Sequence, residues 1–135
     1  MKFKKNYLFA SLSTVAILVL VVLGGCVTTK QRLIDSGLKP LTTQELEALF
    51  AEKKEASFTT QKTSGTVKYY PDRTQNATWP GGSSGGTYFI EGGKFCSKLD
   101  IRAGAVKCTT WFKVNENTYT LVLDDGSKDA SITFK

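Results

Sequence analysis

Histidine is absent from all 135 residues. The commonest general base is therefore missing, and nucleophilic catalysis by Ser-His-Asp or Cys-His arrangements is excluded. The same absence removes the usual nitrogen ligand for zinc, and two spare cysteines leave half of a tetrahedral site unfilled, so no metal and no cofactor is expected. Acids are missing from the first 25 residues: all 12 lie beyond them, whereas three of the 18 basic residues, Lys2, Lys4 and Lys5, lie within them. The remaining 110 residues thus carry 15 minus 12, or +3. So mild an excess predicts no nucleic-acid partner, because phosphate tracking needs a concentrated basic face. Apolar residues at 41% against charged residues at 22% place the chain outside the disordered regime. One compact domain is the expectation for 110 residues.

What the start of the chain does contain is an export pattern. The three lysines precede an uncharged run from Asn6 to Thr29, rich in Leu, Val and Ala, as in the n-region and h-region of a signal segment. Positive residues stay cytoplasmic, so the remainder is expected to cross. Leu23-Gly24-Gly25-Cys26 resembles the bacterial lipobox, in which a protease cleaves between the residues standing here as Gly25 and Cys26 after the thiol has accepted diacylglycerol. The two glycines let the backbone enter a narrow membrane-embedded site, and the thiol is the nucleophile. The competing reading is an uncleaved anchor, since the run can span a hydrocarbon layer of roughly 30 Å. The lipobox resemblance implies a membrane partner through lipid on Cys26, held by chains stabilised at about 0.8 kcal/mol per buried methylene. With Val27 rather than Asp next to it, the Gram-negative sorting rule implies the outer membrane, facing the periplasm.

Cys96 and Cys108 remain as a pair in a chain delivered to an oxidising compartment, where a disulfide is expected. The bridge would close about 13 residues and stabilise the domain by about 3 kcal/mol. Strand alternation raises a difficulty. Cys108 shares a face with Val106, Phe112 and Val114, whereas Cys96 lies opposite Phe95, Leu99 and Ile101. Either a bulge shifts one strand, or the bridge lies outside the core face.

Residues 26–40 read as a flexible tether, and 41–135 as a helix followed by a β domain. Thr42 with Glu45 three residues on forms a capping box, with Leu41 and Leu46 as a hydrophobic staple. Leu46, Leu49 and Phe50 then recur at helical spacing, predicting one amphipathic helix. Eight candidate strands follow, near residues 57–61, 65–70, 75–79, 86–91, 94–101, 106–114, 118–123 and 130–134, most joined by Gly, Asn or Asp turn residues. Short consecutive links imply an antiparallel meander, and closure into an up-and-down barrel removes its exposed edges. The fold class is mainly β, with one N-terminal helix able to plug or cover an end.

Motifs for chemistry are sparse. Ser36-x-x-Lys39 matches a nucleophile pattern that needs both residues on one helical face, which Pro40 disfavours. Asp124, Asp125 and Asp129 lack the alternating spacing of a calcium loop and read as a solvated turn. Asp72, Glu91 and Asp100 have no visible mutual relation that would make them an acid and base pair. The glycine-rich stretch from Trp79 to Gly86 lacks the Lys-Ser/Thr ending of a phosphate loop and reads as a long hairpin connection or a mobile contact tip flanked by Trp79 and Tyr88. Trp111 alternates with Phe112, so one large aromatic is expected at the surface unless the helix covers it. Trp79, Tyr88 and Trp111 are the candidate binding residues.

From Leu41 onward the chain resembles a family of small exported proteobacterial proteins known as a domain of unknown function. The resemblance rests on Leu41-Thr42 with Glu45-Leu46, Tyr69-Tyr70-Pro71-Asp72-Arg73-Thr74, Gly86-Thr87-Tyr88, Gly92 through Cys96, and Cys108 with Phe112. Two positions depart: the family usually has glycine where Arg73 stands and tryptophan where Tyr88 stands. It implies no catalytic residue. By fold-level analogy the plan is also similar to periplasmic inhibitors of proteases and lysozyme. The expectation is a non-enzymatic, lipid-anchored envelope protein that binds or holds a partner. The alternatives are a hydrolase inhibitor, a small-ligand carrier using the barrel interior, and an envelope enzyme working through carboxylates.

Overall fold

Period-two alternation along the chain becomes eight strands, each hydrogen-bonded to the next, with the last returning to the first. The computed structural model describes residues 26–135; the expected signal segment 1–25, and with it Gly25 of the expected cleavage site, lies outside the described residues. The strands are β1 Lys54–Thr59, β2 Ser64–Tyr69, β3 Thr74–Trp79, β4 Gly82–Glu91, β5 Lys94–Leu99, β6 Lys107–Lys113, β7 Thr118–Val122 and β8 Lys128–Phe134. They form a closed antiparallel barrel in sequence order, sealed by pairing of β1 with β8 from Ala56↔Phe134 to Thr59↔Ser131. A meander puts alternate connections at opposite ends. The β1–β2, β3–β4, β5–β6 and β7–β8 turns lie at one end, the β2–β3, β4–β5 and β6–β7 turns at the other.

The glycine-rich stretch is wall, not loop. Pro80 and Gly81 make the turn, Gly81 taking φ 90°, and β4 begins at Gly82 opposite Trp79. Gly86 is required by close approach of the neighbouring strand: a Cβ there would lie 2.2 Å from the Lys98 carbonyl oxygen. Any side chain at this point would push β4 and β5 apart, so the residue marks a tight bend of a narrow barrel.

Two helices precede the barrel where one was expected. Helix α1, Thr29–Asp35, falls within the segment read as a flexible tether. Thr28 caps it, its Oγ1 accepting from the Gln31 amide at 3.1 Å, and Gly37 takes φ 92° just beyond its end. The helix is fastened to the β7–β8 turn by the Lys30 amide, which donates to the Gly126 carbonyl at 3.0 Å. Gly126 makes that contact possible, since a Cβ on it would come within 2.9 Å of Thr28 Oγ1. Further along, Pro40 bridges Phe112 and the Leu41 amide donates to the Trp111 carbonyl at 2.8 Å. By alternation Phe112 and Val122 face outward, yet both are fully buried. Residues 28–41, pinned along this wall at both ends, cover them.

Helix α2, Thr43–Leu49, opens with the expected capping box: Thr42 Oγ1 accepts from the Glu45 amide at 3.1 Å and Glu45 Oε1 from the Thr42 amide at 3.2 Å. It sits at the end defined by the β2–β3 and β4–β5 turns. The Gly93 amide donates to Thr43 Oγ1 at 2.7 Å, and Arg73 pairs with Glu47. Arg73 stands at φ 73°, backbone that favours glycine. Its guanidinium is held over the Tyr88 ring at 5.5 Å and against Glu47, which raises its pKa further and offsets the strained backbone.

The disulfide joins Cys96 of β5 to Cys108 of β6, residues directly opposite each other with Cα atoms 4.0 Å apart. Their neighbours Phe95 and Thr109 point inward, so both sulfurs lie on the outer wall. No bulge is needed: the bridge lies outside the core face.

Candidate functional site

The barrel interior divides into two halves. In the plugged half, Leu46 and Phe50 descend from α2 and its C-terminus into a ring of aromatics. Phe50 lies with its ring centroid 5.0 Å from Tyr69, 5.4 Å from Tyr88, 4.9 Å from Phe95 and 5.5 Å from Trp111. These distances are those of favourable edge and offset aromatic packing. The polar ends are satisfied inside. Trp111 Nε1 donates to Thr109 Oγ1 at 3.0 Å, and the Tyr88 hydroxyl donates to the Tyr70 carbonyl at 2.5 Å. Tyr88 and Trp111, offered as binding residues, are therefore core: Trp111 has no exposed surface and Tyr88 almost none. Phe112 does not take the surface position that alternation would assign it, because the wall behind it is covered as well.

Toward the other end the inward positions carry smaller side chains, and the space is not filled. A cavity of about 240 Å³ remains, walled by Phe58, Val67, Ala77, Leu121, Ala130 and Ile132 above Tyr69 and Phe95. Burial raises the Tyr69 pKa far above its ordinary value, so its hydroxyl stays a neutral donor.

Charge is concentrated at the mouth. A 3-10 turn, Asp100–Arg102, follows β5 and carries Arg102 back over the opening. There Nη1 donates to the Ser97 carbonyl at 3.2 Å and Nη2 to Ser97 Oγ at 3.3 Å. The turn is itself tied down, since the Ile101 amide donates to Ser84 Oγ at 3.1 Å. Burial lowers the Arg102 pKa, and Asp129 partly counters it; the group remains a cation at any physiological pH. Lys107, on β6, donates to Asp129 Oδ1 at 3.0 Å. Asp129 reaches the mouth through a bulge: Leu121 pairs with Ala130 and Val122 with Lys128, leaving Asp129 as the extra residue. All three charged residues line the cavity together with Trp79, Ser97 and Thr109. Of the charged residues that line the cavity two are cations and one is an anion, with Asp100 on the same 3-10 turn just outside the lining.

Of the three aromatics proposed for binding, Trp79 alone lines this cavity, and Tyr88 and Trp111 belong to the plug. Cys26 is exposed with a free thiol. Ser36 ends α1 and its hydroxyl donates to the Leu33 carbonyl at 2.7 Å, so Ser36 and Lys39 do not share a helical face. The carboxylates Asp72 and Glu91 belong to the plugged end and Asp100 to the mouth, which separates them. Asp125 caps its own turn, accepting from the Ser127 amide at 2.8 Å and hydroxyl at 2.6 Å, which lowers its pKa. Among the described residues no three His, Cys, Asp or Glu side chains converge as a metal site. Arg102 and Asp129 escaped sequence reading because a 3-10 turn and a bulge, not strand alternation, aim them, whereas Lys107 shares the inward face of β6 with Thr109 and Trp111 and follows alternation.

These features define a small eight-stranded antiparallel barrel, plugged by a helix at one end and open to an apolar cavity with a charged rim at the other. No family model matches the chain, and neither a curated protein nor a solved structure matches it.

Proposed function

We propose that the chain is a lipid-anchored protein of the bacterial cell envelope, tethered through Cys26 and working without catalysis, whose barrel binds a small amphipathic acid. The apolar end of the ligand occupies the cavity and its acidic end meets Arg102 and Lys107. The observation that carries this reading is the contrast inside one barrel: a half packed with aromatics and a half left open beneath a partly buried guanidinium. An unfilled apolar cavity forfeits dispersion contacts that a ligand would restore. A guanidinium aimed over such a space is suited to a carboxylate or phosphate, to which it can donate in a fork. If the host is Gram-negative, Val27 supports residence at the outer membrane, on the periplasmic side.

Calorimetric titration with decanoate and with decylammonium tests the reading. The anion is expected to bind and the cation, of equal chain length, not to. Arg102→Ala is expected to weaken decanoate binding by about tenfold, corresponding to loss of one charge-assisted contact. Equal binding of both amphiphiles, or of neither, contradicts it.

A further inference from the structure

The way α1 is docked determines which end of the barrel meets the membrane. A flexible tether of 15 residues could hold the domain up to about 50 Å from its anchor, in any orientation. That freedom is removed here, because Thr28 packs on Gly126 and the Lys30 amide is hydrogen-bonded to it. Cys26 is only two residues before Thr28, so it lies within about 7 Å of the docked position. Gly126 belongs to the β7–β8 turn, one of the four turns around the open mouth. A lipid on Cys26 therefore enters the bilayer beside the mouth.

A second observation concerns the same end. Ile101 and Val106, at 63% and 51% exposure, are the two most exposed large apolar side chains among the described residues. Both lie in the single connection between β5 and β6, with exposed Ala103 and Ala105 between them. Val27, next to the anchor, is exposed too. In water an apolar tip of this kind is unfavourable, whereas at an interface it can bury its side chains about 5–10 Å below the headgroups. Exposed carboxylates stand at both ends, Asp124 and Asp125 in the β7–β8 turn and Glu91 and Glu116 at the plugged end, where Val114 is the exposed large apolar side chain of the turns at 38%.

We infer that the open mouth of the barrel faces the lipid bilayer, with Ile101 and Val106 inserted into the leaflet that holds the Cys26 lipid, so that the cavity exchanges its ligand directly with the membrane. The inference rests on the proposed lipidation of Cys26 and deepens the ligand reading by giving the ligand class, an amphiphile that partitions into bilayers. It does not depend on decanoate being bound.

The test uses the acylated protein in phosphatidylcholine vesicles, with an environment-sensitive fluorophore attached at Ile101→Cys or, separately, at Glu116→Cys. A quencher carried on the acyl chains of the vesicle lipid is expected to quench the first label several-fold more than the second. The label at 101 is also expected to shift to shorter wavelength on vesicle binding. Equal quenching, or stronger quenching at 116, in protein whose acyl mass on Cys26 is confirmed, overturns the orientation alone. Protein exported from its host with no acyl mass on Cys26 overturns the anchor and the inference together.

Discussion

The plugged and open halves of the barrel share one wall, one alternation and one disulfide, yet they differ in what fills them. Phe50, Tyr69, Tyr88, Phe95, Trp111 and Phe134 interlock at one end with centroid separations near 5–6 Å. At the other, Ala77, Ala130, Val67 and Ser97 face one another across about 240 Å³. The difference teaches that alternation decides which side chains point inward, whereas side-chain volume decides whether the interior is a core or a chamber. Aromatic packing is concentrated in the first half and unfilled space in the second.

Phe50→Ala is expected to do the most damage, because it removes the ring at the centre of the aromatic cluster and leaves a void that rigid strands cannot close. A loss of about 3–5 kcal/mol in denaturant unfolding is expected. A loss below about 1 kcal/mol would mean that α2 is not the plug on which the fold depends. Next comes the bridge on the outer wall. Replacing Cys96 and Cys108 together by serine is expected to cost about 3 kcal/mol, since the bond closes a short loop in the unfolded chain. The two-residue change also frees the β5–β6 connection that carries Arg102, so decanoate affinity is expected to fall along with stability. Unchanged affinity in the folded variant would show that the rim is positioned by Ser84 and Ser97 alone. The smallest effect is expected in the open half. Ala77→Leu adds bulk where space exists, and its unfolding free energy is expected to stay within about 1 kcal/mol of the wild type, unlike the 1–3 kcal/mol typical of overpacking a filled core. A larger loss would show that the cavity is closed in solution and the two halves are alike.

Much of this architecture was legible beforehand. The number and antiparallel order of the strands and the Thr42 capping box follow from local patterns of alternation, turn residues and spacing, although β1 runs from 54 to 59 rather than 57 to 61 and β4 starts at 82 rather than 86; closure follows from the need to remove edges, and the Cys96–Cys108 bridge from two cysteines left to pair in a chain read as exported. What failed did so for identifiable reasons. Trp111 and Phe112 point to opposite sides of β6, and reading one side as solvent overlooked a segment, residues 28–41, that covers the outer wall. That segment looked flexible because α1 is too short for its apolar positions to form a clear stripe; its docking comes from backbone hydrogen bonds and the space at Gly126. The stretch after Trp79 looked like a loop because glycine is scarce in ordinary strands, whereas a tightly bent wall requires it at Gly86. The cavity was the least legible feature. Its emptiness is a sum over strands far apart in sequence, and its charged rim is set by a bulge at Asp129 and a 3-10 turn at Arg102.

Native mass spectrometry of the protein released gently from envelopes, compared with Ala77→Leu prepared identically, addresses the chamber most directly. The wild type is expected to carry one small acidic amphiphile that dissociates on collisional activation, and the filled variant to carry none. Bare protein in both spectra, or the same adduct in both, would contradict a ligand chamber in the open half of the barrel.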